Sequence, residues 1–429
     1  MANSLVIVAN SGPAGSGQTT FADASTNFVP LAGLLGKSAT EADMAVPVRD
    51  AGDFSNLYIN VTANDVASAT SATITLRKTA ANTAVTVSYG SSQTGVKENT
   101  TNSVTYAATD TADYSVVVTS VSGSHSIAIA IMGCQFAPTT TGNCVSFLAA
   151  SKGGGISLST ASANFFQALQ GTVDDTGTEV NLKVRINQTF TGSNLFSNVL
   201  SNARTTNTIV KTRKNGADGA QSVTYSSSQT GTKEDTTNTD SLVSGDDYCF
   251  DVLTSTGTGA FVLALATVRL VSTASYFMMA ADGPGAGFGF GFNLTRYFGV
   301  SQNIDNPAST ESVVQIYPRF GFTASQLAAR VGTNTIATSA STIRTRAAGA
   351  NGNQSLSYAA AETGVKTDAS NTDVLTSGTT QINYQIVTPN TSGTLTIQWL
   401  ALLGSTVSAA FIAAVPVVVG QAVKRASYY

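Results

Sequence analysis

The chain has 429 residues, enough for about three domains of ordinary size. Only 11% of them are charged, against about 25% in ordinary soluble domains, and the formal net charge is −3. No basic stripe of the kind nucleic-acid binding needs is present, and a surface of Ser, Thr, Asn, Gln, Gly and Ala loses few hydrated charges when it packs on another protein.

The N-terminal segment MANSLVIVANSG has no positive start and only a short apolar run. It does not fit a signal peptide, so synthesis in a cytoplasm is expected. Residues 4–12 read instead as a strand, and similar openings recur at 144–154 and 275–285. A strand pair follows each one: 56–64 with 72–80, 179–187 with 207–216, and 311–322 with 341–349. Alternation at Leu182, Val184 and Ile186, and at Val314 and Ile316, has the period of a strand.

Next comes TVSYGSSQTGVKENTTN (86–102), which returns as SVTYSSSQTGTKEDTTN (222–238) and SLSYAAAETGVKTDASN (355–371). Tyr89, Tyr225 and Tyr358 align without gaps, as do Gly95, Gly231 and Gly364, Lys97, Lys233 and Lys366, and Asn102, Asn238 and Asn371. The intervals are 136 and 133 residues, the length of a whole domain. Two strands close each unit: 113–120 with 125–133, 247–255 with 259–270, and 382–389 with 393–404. Asn215-Gly216, Asp218-Gly219 and Asn351-Gly352 supply hairpin turns. Residues 324–330 (ASQLAAR) are the best candidate for a short helical turn. The expected fold is all-β: three tandem antiparallel β-sandwich, jelly-roll-like domains at 1–137, 138–272 and 273–404, with an extra C-terminal strand at 405–429.

In that tail, Phe411-Ile412-Ala413-Ala414 is similar to the openings Phe147-Leu148-Ala149-Ala150 and Phe277-Met278-Met279-Ala280. It reads as the first strand of a further unit. Phe411, Ile412, Val415, Val417, Val418 and Val419 are therefore expected to form an assembly strand that pairs with a sheet edge of this chain or a neighbouring copy. The apolar run from Ala409 to Val423 is shorter than the ~20 residues of a membrane span and contains Pro416 and Gly420, so no span is expected.

Reactive chemistry is sparse. The single histidine, His125, sits in a turn with no counterpart in the other units, so it reads as a loop residue rather than a general base. Cys134, Cys144 and Cys249 are too few for a disulfide scaffold. Cys134 and Cys144 flank the first junction and would bridge if the backbone turned there; Cys249 reads as a core thiol. Asp174-Asp175 and Asp246-Asp247 are adjacent pairs whose members point to opposite faces. The acids of the repeated turn vary: Glu98, then Glu234 and Asp235, then Asp368. No catalytic, cofactor-binding or metal-binding residues are expected. Calcium is the one ion left open, at 282–285 or 215–218, although neither loop matches the twelve-residue EF-hand pattern. The glycine-rich run 283–293 lacks a phosphate-loop ending, and Phe288, Phe290 and Phe292 read as core aromatics on a strand. Arg213, Lys214, Arg344 and Arg346 read as a solvated strand face, and Trp399 as core.

Residues 208–252, TIVKTRKNGADGAQSVTYSSSQTGTKEDTTNTDSLVSGDDYCFDV, combine several motifs. These are a strand ending Thr-Arg-Lys-Asn-Gly, a Val-x-Tyr strand, a Gly-x-x-Glu-Asp turn and a Ser-Gly-Asp before the next strand. The segment resembles a β-sandwich repeat of structural proteins of tailed bacteriophages and related environmental viruses. Unit two matches well and unit three loosely. Unit one matches through its central segment, with Ala80-Ala81-Asn82 where the Asn-Gly hairpin would stand. The resemblance implies a non-enzymatic virion component, such as a capsid decoration, fibre, neck or tail protein, whose partners are copies of itself and other particle proteins. The alternatives are an extracellular filament subunit of a cell, or an adhesin whose loops hold a glycan receptor.

Overall fold

A computed structural model describes residues 5–10, 19–31, 33–34, 36–139, 144–159, 162–167, 171–172, 177–272, 276–282, 287–301, 307–376 and 380–406. Among them there is no α-helix, and the helical pieces are short 3₁₀ turns at Glu41–Asp43, Glu179–Asn181 and Glu311–Val313.

Eight principal strands recur in each third of the chain. In unit one they are Leu5–Asn10, Ser25–Pro30, Gly52–Asn64, Ala72–Lys78, Ala81–Tyr89, Gly95–Tyr106, Thr111–Val118 and Ser126–Pro138. In unit two they are Cys144–Leu158, Ala163–Gln167, Phe190–Asn202, Thr208–Lys214, Ala217–Tyr225, Gly231–Leu242, Asp247–Thr254 and Phe261–Ser272. In unit three they are Tyr276–Asp282, Thr295–Phe298, Phe322–Asn334, Ser341–Ala347, Ala350–Tyr358, Gly364–Leu375, Ile382–Val387 and Thr394–Thr406. Each unit pairs them the same way. One sheet runs first–eighth–third–sixth and the other second–seventh–fourth–fifth, with these neighbours antiparallel. This interleaving is the jelly-roll order. The all-β, jelly-roll-like expectation is met. The candidate assembly strand, Phe411 to Val419, lies outside the described residues.

The third strands explain how one sheet serves two neighbours. Along Gly52–Asn64, Leu57, Ile59 and Val61 enter the sandwich core, while Tyr58 and Asn60 face the other way and are also buried. The eighth strands go further. Ile127 to Cys134, Leu263 to Val268 and Ile397 to Leu403 are buried on both faces, so something besides their own sandwich covers them.

The expected helical turn at 324–330 is instead part of the third strand of unit three, hydrogen-bonded to strands on both sides. Gln326 adopts φ 56° there and forms a bulge, so sheet pairing overrides the local helical preference. Asn56 and Asn194 bulge at the same place in the other units.

The hairpin between seventh and eighth strands depends on glycine. Gly393 has φ +114°, and a Cβ there would lie 2.1 Å from the Thr335 carbonyl oxygen. Gly393→Ala is therefore expected to destabilise unit three by about 2–4 kcal/mol. Chemical denaturation checks this, and an unchanged midpoint would refute it.

Candidate functional site

The most strictly repeated residues turn out to be framework. The Tyr89 hydroxyl lies 2.9 Å from both the Ile59 and the Gly95 carbonyl oxygens, and Lys97 Nζ sits 4.9 Å over its ring. Tyr225 reaches the Ser197 and Gly231 carbonyls, and Tyr358 those of Ala329 and Gly364. Lys233 and Lys366 cover their rings at 5.2 and 5.0 Å. Burial pushes the Tyr225 hydroxyl up to about 12. Asn238 donates to Asp235 and Asn371 to Asp368, holding the bulge of the sixth strand. Burial disfavours the Asp235 carboxylate, but these donors outweigh it and hold its pKa down to about 2.

A second repeated device ties down the 3₁₀ turn. Arg77 on the fourth strand grips Glu41 with two hydrogen bonds of 3.0 and 2.7 Å, and its guanidinium lies 5.6 Å over Phe28. Arg213 grips Glu179 over Phe165, and Arg346 grips Glu311 over Tyr297. Arg213 and Arg346 are thus not a solvated strand face: their side chains are 16% and 12% exposed. Each draws its carboxylate from a turn that precedes it by more than thirty residues, a pairing invisible to local pattern. Lys214 likewise pairs with Asp246 at 3.0 Å, and Arg344 donates to Gln385.

The clamped turns are where the units meet. The Asn198 amide of unit two donates to the Ala42 carbonyl of unit one at 2.9 Å. Arg49 of unit one pairs with Glu234, and Asp50 with Arg269. The same contact joins unit three to unit one. The Asn60 amide donates to the Ser312 and Val313 carbonyls, Arg319 pairs with Glu98, and the Tyr58 hydroxyl donates to the Gln315 carbonyl at 3.1 Å. The rings of Tyr58 and Tyr317 pack against each other at a tilt of 38°, with centroids 5.3 Å apart.

Unit two meets unit three through the equivalent positions with different chemistry. Asn187 stands where Arg49 and Arg319 stand, and Thr367 where Glu234 and Glu98 stand. Asn187 donates to the Gln326 carbonyl at 3.1 Å, and Gln398 to Asn181 at 2.7 Å. Met278, Ala280, Ala328, Trp399, Ala401 and Leu403 join the buried cluster of unit two. The three contacts run one to two, two to three and three to one, so the units close a head-to-tail ring. Small cavities of about 10 Å³ lie in the one–two and three–one seams, room for roughly a single water each.

The remaining candidate residues stay apart. His125 Nε2 lies 3.0 Å from the Ser122 carbonyl in an exposed turn, with the Asp65 carboxylate 3.9 Å from Nδ1. Cys134 is a buried free thiol, so it does not bridge to Cys144; the Tyr114 hydroxyl donates to it at 3.1 Å, and burial pushes the thiol up to about 12. Cys249 is also buried and free, as expected of a core thiol. Asp246 caps the Val243 amide while Asp247 pairs with Arg185. In the 215–218 loop Asp218 is paired with Lys211 and Arg213. Asp174, Asp175 and loop 283–286 lie outside the described residues. Among the described residues no group of three His, Cys, Asp or Glu is placed to hold a metal. Trp399 is buried, and Phe290 packs edge-on against Phe288 and Phe298. Phe292 departs from the expected core role: it is 53% exposed, because the chain leaves the strand after Gly291 and turns at Asn293, φ 56°.

No family model matches the chain, and no curated protein matches it. Among solved structures, a Paenibacillus xanthan lyase aligns at 13% identity over 67% of this chain, with a TM-score of 0.19. The aligned part spans 30% of that lyase, and a superposition this loose carries no argument about fold or activity.

Proposed function

We propose that this chain is a non-enzymatic structural protein that self-assembles as a virion component, a capsid decoration, fibre, neck or tail protein. The observation that carries this reading is the ring itself. What the sequence repeats is a packing device, in which each clamped turn is aimed at the next jelly roll. Jelly rolls recur in capsid and lectin domains, and three fused into one ring give a rigid block with a low-charge exterior suited to stacking. Its partners are other copies and other particle proteins, and the apolar residues Phe411 to Val419 supply the latch between them.

Negative-stain electron microscopy of the full chain beside one ending at Thr406, the end of the eighth strand, tests the proposal. Regular filaments, rings or shells that disappear on truncation are expected, with both chains folded by circular dichroism. Monodisperse single particles from both would overturn it and make a glycan array the next experiment.

A further inference from the structure

We infer that the seam between units three and one is also a connector between copies of this chain, joining unit three of one copy to unit one of the next. The inference rests on the self-assembling reading above and names its contact surface.

The seam is heterologous: one half is the turn face of unit three, with Gln315 and Arg319, and the other is the strand face of unit one, with Tyr58, Asn60 and Glu98. Heterologous contacts either close into rings or propagate head to tail. The other two seams join consecutive units, whose last and first strands are separated only by residues 139–143 and 273–275, which keeps those contacts within one chain. No such short connection joins unit three to unit one. Their contact nonetheless uses the chemistry of the one–two seam, an arginine on a glutamate and an asparagine on the turn carbonyls. Within one copy the two halves meet at millimolar effective concentration, so the closed ring dominates in dilute solution. Opening it exposes two faces complementary to those of any other opened copy.

Charge reversal separates the two modes. Arg319→Glu in one chain sets two acids against each other across the seam, and Glu98→Arg in another sets two arginines; these side chains are only 19% and 18% exposed. Each variant alone is expected to remain at monomer mass with an enlarged hydrodynamic radius. An equimolar mixture restores opposite charges at both contacts, and more than half of the material is expected to sediment at twice the chain mass. The chain carrying both reversals should close again as a compact monomer, which controls for folding. A mixture that keeps the monomer mass would overturn the inference. Should either variant unfold, wild-type chains labelled in two colours, mixed in about 1 M NaCl to screen the ion pair and then dialysed, give a second readout. Energy transfer between copies is expected, and none would overturn the connector. Particles seen by microscopy without exchange would leave the structural reading standing while this one falls.

Discussion

Replacing Asp113 with Asn is expected to flatten the pH dependence of unit one's stability between about pH 4 and 8, and to raise its stability at pH 9 by several kcal/mol. Asp113 is 1% exposed and lies opposite Arg77 across two strands. Burial first, then the negative charge of Glu41, push its carboxyl up to about 8, with Arg77 offsetting only part. The unfolded chain releases this proton near the ordinary 3.8, whereas the folded chain keeps it until about 8. Stability is therefore fully present below about pH 4 and falls by up to ~1.4 kcal/mol per unit as pH rises, until the folded carboxyl ionises. The repeats support a neutral occupant: Cys249 lies opposite Arg213, and Asn383 opposite Arg346. Denaturant unfolding from pH 4 to 9 measures the effect, and a variant that keeps the wild-type slope would contradict it.

Arg346→Ala is expected to destabilise unit three by about 3 kcal/mol and to loosen the ring as well. The substitution strands Glu311 in a half-buried position without its partner and uncovers Tyr297. It also frees the turn whose Ser312 and Val313 carbonyls hold Asn60 of unit one. Arg346→Lys should rescue little, because an ammonium cannot make the paired contact of a guanidinium. Hydrogen exchange should rise at 312–319 and at 58–60 together; a rise confined to unit three would show that turn and seam are uncoupled.

The all-β class, the triplication and the Tyr-bearing strands were legible because period-2 alternation, the Asn215-Gly216 turn and repeated segments are local properties. Residues 179–187 and 311–322, expected as strands, instead open with the 3₁₀ turns Glu179–Asn181 and Glu311–Val313 ahead of the long strands Phe190–Asn202 and Phe322–Asn334. Asp218-Gly219 and Asn351-Gly352 lie within strands rather than in turns. The seams were not legible. Arg49 and Glu234, or Arg319 and Glu98, lie far apart in the chain, and neither member looks unusual where it stands. One signal was available: the closing segments IAIAIM, LALATV and IQWLALL run apolar without alternation. A strand of that kind needs cover on both faces, and three of them imply that the units pack on one another. The clamp is not legible locally, because Arg213 and Arg346 look solvent-directed until a distant glutamate is brought beneath them.

The unequal seams have a consequence for variation. In a trimer of identical chains, any change at a contact is imposed three times, and both halves of the contact must accept it at once. Fusing the three copies lifts that symmetry constraint. The arginine–glutamate contact could become Asn187 with Thr367 at one seam while the other two kept their charges. A buried acid could likewise enter unit one where its sisters carry Cys249 and Asn383. Each unit is thus free to specialise, and the order of units around the ring is written in side chains as well as in the chain path.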